Sequence, residues 1–194
     1  MTVWAKQARI ALIGMPGGGK STVGRQLAKR LAWRFEDSDA LIEKRIGCSI
    51  RDFFASQGEQ QFRDIEESVV DEATKADRLV LATGGGAVLR DRSRDLLKSR
   101  CHVVYLRSSP EELFRRLRND TTRPLLQVPD PLGRLRQLFD ERDPLYREVA
   151  HFIVETGRPS VASLVNMVLM QLELAGVIDP DLVPSPVGVP GPPH

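Results

Sequence analysis

The stretch GMPGGGKST, Gly14 to Thr22, constrains this chain more than any other. An apolar run, RIALIG (9–14), precedes it, and Val23, Leu27 and Leu31 follow at helical spacing. A short apolar run that ends in glycine predicts a buried strand, and the i, i+4, i+8 pattern predicts a helix. In a strand–loop–helix of this kind, backbone N–H groups of residues 17–21 wrap a phosphate chain at the positive end of the helix. Gly17, Gly18 and Gly19 let the backbone approach, and Thr22 completes the phosphate-binding set. Lys20 is placed to reach the β- and γ-phosphates, and the Ser21 hydroxyl to join a Mg²⁺ shell. The alternative, a glycine-rich turn with an incidental lysine, requires none of the flanking pattern. The motif therefore predicts a nucleoside triphosphate site.

Short apolar runs alternate with helical patterns along the rest of the chain. Strands are expected at 33–37 (WRFED), 78–83 (RLVLAT), 102–107 (HVVYLR) and 151–156 (HFIVET). A helical region starts near Ala40 and includes EQQFRDIEESVVDEA, where Phe62, Ile65, Val69 and Ala73 share one face. SSPEELFRRLR reads as a serine-capped, proline-started helix. NDTTRPLLQVPDPLG is irregular, RLRQLFDERDPLY is helical up to a bend before Pro144, and SVASLVNMVLMQLELA is a closing helix. Five strands separated by helices predict an α/β fold, a parallel sheet covered on both faces. The folded domain is expected over 1–176. Residues 177–194 are expected to form a disordered tail, because six prolines in the last nineteen residues break every period.

Composition excludes several classes. In 194 residues, 28 basic and 26 acidic side chains leave a net charge of +2, so nothing global points to nucleic acid. No apolar run approaches membrane-spanning length, and the N-terminus lacks the pattern of a secretion signal. Cys48 and Cys101 are far apart and outside metal-ligand spacing, so a reducing, cytoplasmic setting is expected. Cys48, His102 and His151 have no partners at catalytic spacing.

Two further stretches bear on chemistry. LVLATGGGAVL runs from a strand into Gly84, Gly85 and Gly86, a sequence suited to close approach of another group and also to a tight turn. In FEDSD, Asp37 and Asp39 project to one side of an extended strand end. One could help hold Mg²⁺ while the other faces an acceptor, or the pair could be a solvated turn or a helix cap. The strand at 78–83 ends without a carboxylate, unlike the metal-orienting strand of hydrolytic switches and motors.

Taken together, GMPGGGKST, FEDSD, FRDIE, TGGG, RPLL and RDPLYREVA occur in the order and approximate spacing of the shikimate kinases, a resemblance over about residues 9–175. It implies a three-layer P-loop kinase fold with sheet order 2-3-1-4-5 and a mobile lid, here at about 119–131. It also implies transfer of the γ-phosphoryl of ATP to the 3-hydroxyl of shikimate, with Mg²⁺, by a monomer. Carried over, Asp39 would accept hydrogen bonds from the acceptor's hydroxyls, and Asp37 would sit near Mg²⁺ as a candidate for the hydroxyl proton. Gly84, Gly85 and Gly86 would line the acceptor, with the N–H groups of Gly85 and Gly86 offered to it and to the transferred group. Arg63 and Arg142 would clamp the shikimate carboxylate. The alternatives are a solvated helix pair with Glu66 or Glu67 for Arg63, and a helix C-terminal cation for Arg142. Arg123 would close from the lid onto the β- and γ-phosphates, and Arg116, Arg158 and Pro159 resemble the segments that flank adenine. Rival readings are a gluconate kinase, a nucleoside monophosphate kinase, and a non-catalytic nucleotide-binding module.

Overall fold

The computed structural model describes residues 8–120, 127–157 and 159–183. Five strands, β1 (Arg9–Ile13), β2 (Arg34–Asp37), β3 (Leu79–Ala82), β4 (His102–Arg107) and β5 (Phe152–Glu155), pair in parallel in the order β2-β3-β1-β4-β5. The expected fold and sheet order are those observed. Alternate residues of each strand enter opposite faces. Ala11, Ile13, Leu79, Leu81, Val103 and Tyr105 join one core cluster with α5 (Asp91–Arg100) and α7 (Pro131–Val149). Ile10, Leu12, Val80, Val104, Leu106 and Val154 join the other with α1 (Lys20–Leu31) and α8 (Val161–Leu174). Burial on both faces is why the central strands read as continuous apolar runs.

The helical region after β2 resolves into α2 (Ser38–Ile46), α3 (Ile50–Gln57) and α4 (Glu59–Ala73), which enclose a third cluster around Ile42, Phe62 and Val69. Gly47, left-handed at φ 71°, stops α2, and Ser49 caps α3. Beyond β4, Ser109 caps α6 (Pro110–Leu117) as expected, and Glu112 completes a capping box.

Two expectations need correction. The helix expected to bend before Pro144 runs through it to Val149. Proline removes one helical N–H and crowds the preceding turn. Pro144, however, faces solvent, where water satisfies the freed carbonyl, while the flanking Leu138, Tyr146 and Val149 are buried and hold the helix in line. Residues 177–183, expected to belong to the tail, pack on the domain. Val177 N–H donates to Leu172 O at 2.9 Å, Ile178 is buried, and Val183 packs on the same cluster as Leu31 and Trp33. These apolar residues give 177–183 something to bury that the proline count concealed. Residues 184–194 lie outside the described residues.

Ile178→Ala should therefore destabilise the protein by about 2 kcal/mol, the cost of a large-to-small change in a packed site. Urea denaturation measures this, and an unchanged midpoint would place 177–183 outside the packed body.

Candidate active site

A parallel sheet delivers all its strand exits to one edge. There β1 passes into the phosphate loop, where Gly17 and Gly19 adopt φ of 79° and 86°, a region side chains strongly disfavour. Gly19 is the N-cap of α1 and no side chain caps the helix, so the loop leaves its first-turn N–H groups to an anion. Lys20 is buried, and its Nζ donates to Gly14 O and Met15 O, both at 2.8 Å. The ammonium thus lies folded along the loop that it serves.

Ser21 Oγ donates to one carboxylate oxygen of Asp37. The other oxygen of Asp37 accepts from Asp39 N (2.9 Å) and Ala40 N (3.3 Å), capping α2. Of the roles left open by the sequence, the helix cap is observed and occupies one oxygen, while the other oxygen meets the Ser21 hydroxyl. A hydroxyl and a carboxylate meeting beside the phosphate loop form an oxygen donor set suited to Mg²⁺, which takes few protein ligands and completes its shell with phosphate and water. No cluster of three or more His, Cys, Asp or Glu suited to a metal occurs among the described residues.

Three side chains explain the triple glycine after β3. A Cβ on Gly84 would stand 2.6 Å from Asp39 Oδ1, one on Gly85 2.6 Å from Pro16, and one on Gly86 2.5 Å from Arg63 Nη2. The loop is thus pressed between an acidic group, the phosphate loop and a guanidinium. Gly84 N–H is fixed by a 3.0 Å bond to the fully buried Ser38 Oγ. The resulting cleft, about 410 Å³, is lined by Pro16, Lys20, Ser21, Asp37, Asp39 and Gly85 among others, including Gly17, Gly19, Thr22 and Gly84. A larger open groove of about 570 Å³ beside β2 shares no lining residue with it, and in it Arg34 pairs with Glu36 and Arg45 with Glu72.

Arg63, on α4, donates from Nη1 to Glu66 at 2.7 Å and from Nη2 to Glu59 at 3.4 Å, and lies 5.1 Å from the Phe62 ring. Its side chain is 11% exposed and that of Glu66 only 4%. This is a desolvated pair and not the solvated helix pair of the alternative reading. Burial pushes the Glu66 carboxyl above its ordinary range, against the pull of Arg63, Arg142 and Arg90. Arg142, on α7, is half-buried and precedes Tyr146 by one turn. The Tyr146 hydroxyl donates to Gly85 O at 2.6 Å. Burial raises this phenol to about 12, with Arg142 and Arg63 pulling the other way. Both expected clamp arginines therefore act on the same two groups, Glu66 and Tyr146. Asp39 is pushed up to about 6, first by burial, then by Asp37 and Glu66, with Lys20 opposing.

On the far side of the phosphate loop, Arg116 donates to Ser108 Oγ (3.5 Å), Thr156 Oγ1 (3.4 Å) and Gly157 O (3.4 Å) at the exits of β4 and β5. Pro159 is exposed close by in sequence. Arg123, with residues 121–126 of the expected lid, and Arg158 lie outside the described residues. Sequence reasoning missed Ser38, Glu66 as a buried group, and Tyr146. Glu66 stands three residues after Arg63, which gives the pairing but not the burial.

The shikimate kinase family model matches residues 16–173. The chain belongs to the shikimate kinase family. It is 59% identical over 177 residues to a shikimate kinase of Paracidovorax citrulli, covering 90% of this chain and 97% of that protein. A solved shikimate kinase from Acinetobacter baumannii in complex with shikimate superposes with a TM-score of 0.84 at 44% identity, covering 89% and 96% of the two chains. A gluconokinase from Sinorhizobium meliloti reaches 0.56 at 18% identity, covering 87% and 93%, which is likeness of fold alone.

The raised Asp39 pKa has a consequence for stability. The folded state binds this proton more tightly than the unfolded state, so stability falls as pH rises from about 4 to about 6 and stays lowered above. Asp39→Asn should stabilise the ligand-free protein by about 1–2 kcal/mol at pH 7–8, with the gain fading as pH falls from 6 to 4. Thermal denaturation across pH reads this. A destabilised variant at pH 8 would contradict the electrostatic picture.

Proposed function

We propose that this chain transfers the γ-phosphoryl group of ATP to the 3-hydroxyl of shikimate, giving shikimate 3-phosphate and ADP. The observation that carries the reading is the close approach of Gly85 to Pro16, which sets the phosphate loop directly against a glycine loop whose next residue, Gly86, abuts Arg63. Donor and acceptor held in this way are adjacent, and proximity supplies much of phosphoryl-transfer catalysis.

Shikimate is a planar-ended carboxylate with ring hydroxyls. In this reading Arg63 and Arg142 fork onto the carboxylate, as charge-assisted guanidinium pairs do. Glu66 keeps the Arg63 plane oriented before the ligand arrives. Asp39, ionised at neutral pH despite its burial, accepts from ring hydroxyls, and the Gly85 and Gly86 N–H groups donate to the acceptor and the transferred group. The 3-hydroxyl oxygen bonds to the γ-phosphorus as the bond to the β-phosphate oxygen breaks, and its proton passes to the Asp37 carboxylate. Lys20 and, from the lid, Arg123 meet the charge on the β- and γ-phosphates. Arg116, Arg158 and Pro159 flank adenine. Ser21 and Asp37 would hold Mg²⁺, which when bound neutralises phosphate charge.

A coupled assay of ADP release tests the reading. ADP formation should require shikimate, and gluconate or nucleoside monophosphates should support it at least about a hundredfold less well, because buried groups built for one acceptor are left unpaired by another. Equal release without shikimate, or with gluconate, would contradict it.

A further inference from the structure

Three glycines in succession leave three peptide planes with little intrinsic restraint. Backbone turns hold the Gly84 and Gly86 carbonyls through Ala87 N–H and Leu89 N–H, both at 3.1 Å, and two polar side chains hold two further groups. Ser38 Oγ takes the Gly84 N–H, and the Tyr146 hydroxyl takes the Gly85 carbonyl at 2.6 Å. The Gly85 carbonyl and the Gly86 N–H belong to one rigid trans peptide and point in opposite directions. Fixing the first aims the second. Among the described residues no protein group accepts from the Gly86 N–H.

Tyr146 itself is well held. It is fully buried, its ring centroid lies 4.9 Å from that of Tyr105, and the Tyr105 hydroxyl is tied to Asp143 at 2.7 Å. Asp143 is held independently by Arg107 (3.2 Å) and Arg147 (2.9 Å). The phenol also lies one helical turn beyond Arg142.

We propose that Tyr146 is a positioning residue for phosphoryl transfer: its hydroxyl sets the plane of the Gly85–Gly86 peptide relative to an acceptor gripped by Arg142 of the same helix. The inference rests on the acceptor site described above. Losing the hydroxyl keeps the ring and the stack and removes one polar contact of Arg142. It also takes away the only side-chain bond on the Gly85 carbonyl among the described residues, so the flanking backbone turns alone hold the Gly85–Gly86 plane. The acceptor still binds, while the transferred group loses an aligned donor. Misalignment of that kind acts on turnover more than on affinity.

The test is Tyr146→Phe, with Tyr105→Phe as a control that also removes a phenolic hydroxyl from the pair without touching the glycine loop. Both are assayed well below their melting midpoints, with ATP affinity measured separately. Y146F should lose about tenfold or more in kcat, with shikimate KM changed less than about threefold and ATP affinity within about twofold. Y105F should keep kcat within about twofold of the native value. Native kcat in Y146F, equal losses in the two variants, or a loss confined to shikimate KM would overturn the proposal. So would a Y146F protein that no longer binds ATP, since the hydroxyl would then serve folding. A native protein that makes no ADP with shikimate would overturn the functional reading and this proposal with it, whereas a defect absent from Y146F beside an active native protein overturns this proposal alone.

Discussion

The pairing of β1 between β3 and β4 is the constraint on which the rest of the structure depends. Parallel register aligns the end of β1 with the ends of β3 and β4, so the phosphate loop and the TGGG loop leave the sheet side by side. Pro16 can then press on Gly85, and β2, paired outside β3, delivers Asp37 to the same edge. Each strand alternates its apolar residues between two helical layers. A one-residue slip would therefore bury the wrong face and misplace both loops.

At that edge the fold accepts an electrostatic cost. Asp39 and Glu66 are carboxylates removed from water; burial raises the pKa of both, and Glu66 adds to the rise at Asp39. Lys20, Arg63 and Arg142 offset part of the penalty. A buried ion pair contributes little net stability, but it holds direction well. The Arg63–Glu66 pair fits that description: it fixes a guanidinium against the glycine loop at a site that apolar packing would serve better if stability alone mattered.

The sequence made the sheet and the phosphate loop legible because both are local patterns: apolar runs between helical periods, and glycines at fixed offsets from Lys20. The role of Asp37 was legible only as alternatives, since a carboxylate that caps α2 and one that faces a metal look the same in FEDSD, and its bond to Ser21 was not foreseen. Tyr146 and Ser38 were not legible, because their bonds to Gly85 and Gly84 span 61 and 46 residues and leave no periodic trace. Pro144 misled through a rule that holds for buried helices and fails where the freed carbonyl meets solvent. The segment 177–183 was misjudged because the prolines crowded into the last residues of the chain masked Val177, Ile178 and Val183, which pack on the body.

The proposed function requires Arg63 and Arg142 to converge on one carboxylate. Calorimetric titration of the native protein with shikimate and with its methyl ester tests it most directly, alongside the same pair of titrations on Arg142→Gln. The native protein should prefer the free acid by at least about thirtyfold, the scale of a charge-assisted pair, and the variant should lose most of this preference. An ester bound as tightly as shikimate would contradict the claim, and so would a preference undiminished in the variant.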